Sequence, residues 1–411
     1  MKKPVMTMAG IVAMALVFCS VPMPGDVARA DGKDWTVLVF LNGDNNLESN
    51  AIDDLNEMER VGSNDNVNIV VQIDRAWGYD SSNGDWTGTR RYYVTRDFNT
   101  FTINSDLVAD LGERNMGAAS ELVNFVNWGV DNYPADHYFV VCWDHGDGWY
   151  KDAGAPFKAF SHDESSYSEI GVANGDLREA ATASASHLGR KIDLWGFDAC
   201  LMGMFEVGYE LKDAVEGLVA SEETISVAGW RYDLFLAELT ANPAMSALDL
   251  GESVARNFVS GIEATLSVVD LTTYDDLAAA VDYFAGELIA ADAGGFADAI
   301  SQRINASQSY YYDDYHDLYD FADKLQGAIV PTSLKNAASG VMAAVDDAVY
   351  ANYVRAWGYS DSRGIAVMLP DGYMWESSYR SLRSSVDTGW DDFIFSFSGG
   401  GGGYCFVSSA L

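Results

Sequence analysis

An α/β fold, with a mostly parallel sheet sandwiched by helices and a mainly helical C-terminal subdomain, is predicted by three features of the sequence. Short β-branched apolar runs alternate with amphipathic helical stretches as far as residue 242. The runs are apolar almost without interruption, as strands covered on both faces are. Beyond Pro243 the texture changes to long stretches rich in Ala, Leu and Asp.

The first strand is Trp35–Leu41 and the second Val67–Ile73. Between them, Leu47, Ile52, Leu55, Met58 and Val61 punctuate an acidic stretch at helical spacing. The alternation continues with a helix over Met116–Trp128, a strand over Tyr138–Trp143, a helix over Asn174–Leu188 and a strand over Ile192–Phe197. A helix over Leu201–Val215 and a strand over Gly217–Ser221 complete it. The helical region over 243–397 contains Met245–Leu266, Tyr274–Ala291 and Leu334–Asp347, and closes with a strand-like Arg363–Pro370 expected to return to a sheet.

Both ends of the chain read as addresses. Lys2 and Lys3 precede an apolar run, and Ala28-Arg29-Ala30 supplies a small-x-small cleavage site, so residues 1–30 form a secretory signal and the mature chain starts near Asp31. That places the protein outside the bacterial cytoplasm, secreted or at the surface or periplasm, with no transmembrane helix in the mature chain. Residues 398–411 are a Gly-rich tail carrying Cys405, too short after its glycines to cross a bilayer, so any attachment through it is covalent.

Charge excludes a large class of partners. The chain of 411 residues carries 25 Lys+Arg against 61 Asp+Glu, a net −36, which repels nucleic acid and anionic lipid. Removing the signal leaves Cys142, Cys200 and Cys405, an odd number in an oxidising compartment, so at least one thiol stays free.

In open α/β sheets, reactive groups collect at the carboxyl ends of strands. Three such ends carry polar residues: Asn42-Gly43-Asp44-Asn45-Asn46, Asp144-His145-Gly146-Asp147, and Asp198-Ala199-Cys200. A cysteine where a strand gives way to a helix gains from the unpaired N–H groups and the helix dipole, which favour its thiolate. Parallel topology brings His145 beside it as proton carrier, while the backbone N–H groups of Gly146 and Cys200 serve a developing oxyanion. Cys142, inside an apolar strand, reads as core. In caspases a Gln-Ala-Cys motif follows its histidine by about 50 residues; here the separation is 55 and the tripeptide is Asp198-Ala199-Cys200.

These segments, together with Trp35–Glu48, Cys142–Trp149, Gly196–Glu210, Ala220–Thr224, Gly229-Trp230 and Arg363–Pro370, make the chain similar to the clostripain-like (C11) cysteine peptidases, relatives of caspases, gingipains and legumains. The resemblance spans most of the mature chain. It implies a caspase-like catalytic domain over 31–242, a His145/Cys200 dyad, and a zymogen that cuts itself between histidine and cysteine. Lys151 and Lys158 lie in that interval, and Lys158, within the loop 153–162, is the expected site.

Where caspases carry a neutral Gln and accept acidic P1 residues, this chain has Asp198, a carboxylate suited to guanidinium or ammonium. Cleavage after Arg or Lys in peptide or protein substrates is therefore expected, in agreement with the resemblance. One departure stands out: Ala228 occupies the position where a second pocket acid is expected, leaving Asp233, Glu222 or Glu223 to compensate. No cofactor is required by this chemistry. Calcium is admitted by the resemblance and by the many carboxylates, although no EF-hand loop is present. A competing reading, an inactive surface-displayed binding or adhesion protein on a peptidase fold, is favoured by the acidic surface, the tail and Ala228.

Overall fold

The computed structural model describes residues 32–149, 160–259, 264–355, 358–370 and 376–397. The signal at 1–30, Lys151, Lys158 and the tail at 398–411 lie outside the described residues.

The chain opens with β1 (Lys33–Gly43), α1 (Glu48–Glu59), β2 (Val67–Arg75), β3 (Gly88–Tyr93), β4 (Asp106–Gly112) and α2 (Ala119–Asn132). Next come β5 (Ala135–Trp143), a small hairpin of β6 (Phe160–Asp163) and β7 (Ser168–Ile170), α3 (Asp176–Leu188), β8 (Ile192–Asp198), α4 (Phe205–Leu211) and β9 (Val215–Ala220). The remainder is α5 (Tyr232–Ala241), α6 (Ala247–Val259), β10 (Ala264–Asp270), α7 (Tyr274–Ala291), α8 (Ala297–Ile304), β11 (Tyr315–Asp317), α9 (Leu318–Gln326), α10 (Thr332–Ala348), β12 (Val349–Arg355), β13 (Ala366–Met368) and three short C-terminal helices.

Nine strands form one sheet in the order β12-β10-β9-β8-β5-β1-β2-β3-β4. The central β9, β8, β5, β1 and β2 are parallel, and antiparallel pairs extend the sheet at both edges. Two of the edge strands, β10 and β12, come from the largely helical C-terminal region. The apolar runs alternate across the sheet as strand geometry requires. Val37, Val39 and Leu41 face a core shared with Leu55 of α1, Phe235 of α5 and Leu250 of α6. Leu38 and Phe40 face the opposite core, with Phe125 of α2, Leu177 of α3 and Phe205 of α4. Each such fully buried side chain contributes about 1.5–3 kcal/mol.

The strand-like segment ending at Pro370 supplies β13 and returns to a sheet as expected, a separate two-stranded one with β11. One expectation is corrected. The helix after β8 begins at Phe205, four residues later than its apolar pattern suggests. Between them the backbone N–H groups of Leu201 and Gly203 bond the carbonyls of Glu223 and Ser221 (3.2 and 2.7 Å), and Leu201 adopts φ 63°. The Gly203 carbonyl, an acceptor that an earlier helical turn would use, instead takes the Ala366 N–H (2.8 Å), and the left-handed φ of Leu201 excludes a right-handed turn there. Among the described residues, no helix is long and apolar enough to cross a membrane.

Candidate active site

Register decides which residues meet. Leu41 of β1 aligns with Trp143 of β5, and Trp143 aligns with Asp198 of β8, so three neighbouring parallel strands end level. The residues that follow them, Asn45 and Asn46, Asp144 and His145, and Ala199 and Cys200, therefore converge at one sheet edge. Cross-links fix them there. Asn45 Nδ2 donates to Asp144 Oδ1 (2.8 Å) and to the His162 carbonyl (2.9 Å), and the Asp144 N–H bonds the Asp198 carbonyl (3.3 Å). His145 and Cys200 line one open pocket of about 360 Å³, mouth included, with Trp143, Asp198, Ile225 and Gly229. Gly146 packs directly on the Cys200 backbone, where a Cβ would stand 2.3 Å from the Cys200 carbonyl oxygen.

The electrostatics run against the thiolate expected at a helix start. Cys200 lies in the turn ahead of α4, and burial pushes its thiol up to about 11, opposed by the Ile225 N–H and reinforced by Asp147, Asp198 and Glu223. The Ile225 N–H lies 3.2 Å from Sγ. Burial, followed by repulsion from His162, pulls His145 down to about 4. Both shifts favour the neutral thiol and the neutral imidazole. His145 Nε2 lies 2.9 Å from Asn46 Oδ1; an amide oxygen only accepts, so Nε2 carries the proton in that contact. Asn46 is thus a site residue, although in the sequence nothing but its place after the first strand marks it.

A carboxylate lies at the pocket floor. Asp198 Oδ2 accepts from the Trp230 N–H and the Tyr232 hydroxyl (both 3.0 Å), while its buried Oδ1 has no partner among the described residues. Burial is the main force pushing Asp198 up to about 7. Of the residues expected to replace the missing acid at Ala228, Asp233 pairs with Arg60 and Arg231. Glu222 faces Asp317, and Glu223 accepts from the Thr224 N–H (2.7 Å). None lines the pocket among the described residues. The acid found beside Asp198 is instead Asp54 of α1, which lies behind Gly229 and not in the pocket lining itself and accepts from the Trp143 indole (2.6 Å). Its signal was in the sequence: Asp54 falls on the helix face of Ala51, Leu55 and Met58, where an acid is out of place.

A second acidic group lies behind the β1 loop. Single carboxylate oxygens of Asp44, Asp74, Glu113 and Asp163 all fall within 4.8 Å of one another. Three of these residues are fully buried, and among the described residues Asp44 Oδ1 and Asp74 Oδ2 lack hydrogen-bond partners. Burial, then repulsion from Glu113 and Asp44, drives Asp74 well above the usual carboxylate range; burial first, then Asp44 and Asp163, pushes Glu113 to about 7. An all-oxygen donor set with orphaned buried acceptors fits a hard divalent cation such as calcium.

Comparison with known proteins gives these sites a context. The profile of the Clostripain family matches residues 39–397. Clostripain of Hathewaya histolytica is 24% identical over 405 aligned residues, covering 84% of this chain and 76% of that protein. A secreted C11 cysteine protease of Bacteroides thetaiotaomicron, solved with an irreversible peptide inhibitor, superposes with a TM-score of 0.65 at 22% identity, covering 87% of this chain and 99% of that one. An inactive zymogen C11 protease of Parabacteroides distasonis gives 0.63 at 17% identity, covering 88% and 99%.

Proposed function

This chain belongs to the clostripain family of cysteine endopeptidases, and from that premise we propose that Cys200 and His145 form its catalytic dyad and that it cleaves after Arg or Lys. The observation that carries the reading is the single pocket in which sulfur, imidazole and a buried carboxylate with an unpartnered oxygen, Asp198, stand together.

With both groups neutral at rest, the thiol proton passes to His145 as Sγ attacks the carbonyl carbon of the substrate. The oxyanion is received by the N–H groups of Gly146 and Cys200, whose backbones adjoin. The tetrahedral intermediate collapses as the C–N bond breaks and His145 returns the proton to the leaving amine. Water then attacks the thioester carbon, losing a proton to His145; the C–S bond breaks, the acid product leaves, and sulfur regains its proton. Asp198 receives the P1 cation through charge-assisted hydrogen bonds.

The same reading holds that residues 1–30 are removed on export, that the enzyme works outside the cytoplasm, that the tail with Cys405 serves covalent attachment, and that the zymogen cuts itself near Lys158. Asp44, Asp74, Glu113 and Asp163 would hold calcium, which when bound supplies positive charge that relieves their repulsion and braces the loop carrying Asn45 and Asn46.

The test is hydrolysis of peptide reporters with Arg, Lys or Asp at P1, using Cys200→Ala as control. Turnover of the basic reporters that is lost in the variant is expected, together with a processed wild type and a single-chain variant. Activity that survives Cys200→Ala would overturn the mechanism, and equal turnover of Asp reporters the specificity. No turnover of any reporter would favour the adhesion reading.

A further inference from the structure

We propose that Asp54 is the second carboxylate of the P1 recess, so that Asp54 and Asp198 receive the substrate cation together. The inference rests on the reading of Asp198 above and names the residue that takes over where Ala228 cannot act.

The geometry turns on Gly229, which lines the pocket. Its φ of 58° lies in the left-handed region, where glycine is at no disadvantage. The space its missing side chain leaves is bounded by two acids: a Cβ there would stand 2.8 Å from Asp54 Oδ2 and 2.9 Å from Asp198 Oδ2. Asp54 is 3% exposed and Asp198 2%. The two acids come from different elements, α1 and β8, so local sequence does not force the pairing.

Their surroundings do not neutralise them. From α1, Asp53 and Glu57 add negative charge to Asp54. From α5, Tyr232 donates to Asp198, and Asp233 faces Glu57. From β5, the Trp143 indole gives Asp54 one neutral donor. Among the described residues the cations nearby are Arg60, which pairs with Glu57 and Asp233, and Arg231, which pairs with Asp233. Two adjacent buried carboxylates repel, so without a ligand one of the pair tends to hold a proton; burial and repulsion from Asp198 both raise Asp54. A guanidinium entering the recess lets both ionise and presents donors to both. A neutral P1 side chain gains nothing from the second acid, so the pair sharpens discrimination between cationic and neutral residues beyond what Asp198 provides alone.

The experiment compares reporters with Arg and with citrulline at P1, the latter matching arginine in shape without its charge, on wild type, Asp54→Asn, Asp54→Ser, Asp198→Asn and Gly229→Ala. Asn keeps an acceptor for the Trp143 indole. Asp54→Asn is expected to lower kcat/KM for Arg by about ten- to a hundredfold, to leave citrulline turnover within about twofold, and to melt no lower than wild type. Gly229→Ala, whose methyl group crowds both acids, is expected to lower Arg turnover as well, but Asp54→Ser, which leaves Asp198 untouched, provides the test should Asp54→Asn fold poorly. An unchanged Arg/citrulline ratio in Asp54→Asn, with Asp198→Asn abolishing the preference, would overturn the role of Asp54 alone. Equal loss on both reporters would make Asp54 structural. A preference for Arg that survives Asp198→Asn would overturn the underlying reading of the recess.

Discussion

Gly146 and Cys200 touch backbone to backbone: a methyl group on Gly146 would stand 2.3 Å from the Cys200 carbonyl oxygen, 2.9 Å from its nitrogen and 3.0 Å from the Ala199 Cβ. Backbone cannot yield as a side-chain tip can, so Gly146→Ala forces the strand-end loop and the Cys200 turn apart. If both amides serve the oxyanion, that shift misaligns donors needed only in the transition state. The expected result is a fall in kcat of about a hundredfold or more with little change in KM, read from steady-state kinetics on an Arg reporter. A rise in KM at constant kcat would argue against the oxyanion role.

The pH dependence follows from three displaced groups. Turnover needs a neutral His145, a protonated Cys200 at rest and, for a basic P1 residue, an ionised Asp198. His145 is pulled down to about 4 and Cys200 pushed up to about 11, so neither changes state near neutrality. Asp198 is pushed up to about 7, so as pH falls through that value the recess loses the charge that holds the cation. For Arg reporters kcat/KM should therefore drop on the acid side near pH 7, while citrulline reporters stay flat until pH approaches 4. Coincident acid limbs for the two reporters would contradict this assignment. The same shift has a stability sign. A raised folded-state value contributes stability that is complete below the ordinary carboxylate value of 3.8 and is lost as pH rises toward 7. Asp198→Asn should accordingly melt higher than wild type at pH 8, with the difference shrinking toward pH 4.

How much of this was legible in sequence depended on distance along the chain. The strands of the parallel centre were readable because burial on both faces writes unbroken apolar runs such as Val37–Leu41 and Phe139–Cys142. The convergence of His145 and Cys200 followed from topology, since level parallel strands share an edge. The position of the helix after Cys200 was not legible, because the donor that claims the Gly203 carbonyl belongs to the distant Ala366. The acid group of Asp44, Asp74, Glu113 and Asp163 was hidden for the same reason: four separate segments supply it, and no local spacing rule describes it. Asp54 was visible as an acid on an apolar helix face, but its partner lies in β8, 144 positions away in the numbering.

Asn46 offers a test of how His145 is held. Its side-chain oxygen accepts from Nε2 at 2.9 Å, which fixes the ring orientation and leaves Nδ1 as the basic nitrogen. Asn46→Ala removes that partner without touching the sulfur. Since an orienting group acts through the residue it positions, kcat should fall by about tenfold or more while KM and melting temperature stay near wild type. Asn46→Asp restores an acceptor and should recover part of the loss, with the acid limb of kcat for citrulline reporters moved upward, because a carboxylate stabilises the imidazolium. Loss of both rate and melting temperature in Asn46→Ala, with no rescue by Asp, would reduce Asn46 to a loop-stabilising residue.

The calcium assignment is tested by stability as well as by rate. Asp44 lies two residues before Asn46 and joins the β6–β7 hairpin, its carbonyl accepting from the Glu164 N–H (2.9 Å) and its Oδ2 from the Ser165 N–H (3.2 Å). An ion gathered by Asp44, Asp74, Glu113 and Asp163 would therefore stiffen the loop that presents Asn46 to the imidazole. A ligand that binds only the folded chain stabilises it by about 2.7 kcal/mol at a hundred times its dissociation constant. Calcium added to chelator-treated enzyme should therefore raise the melting temperature by several degrees, with magnesium less effective because it demands a tighter octahedron. Asp74→Asn removes a fully buried ligand and its repulsion. It should abolish the calcium response while melting no lower than the metal-free wild type. Identical melting of wild type in calcium and in chelator would remove the assignment, leaving the four carboxylates to share protons.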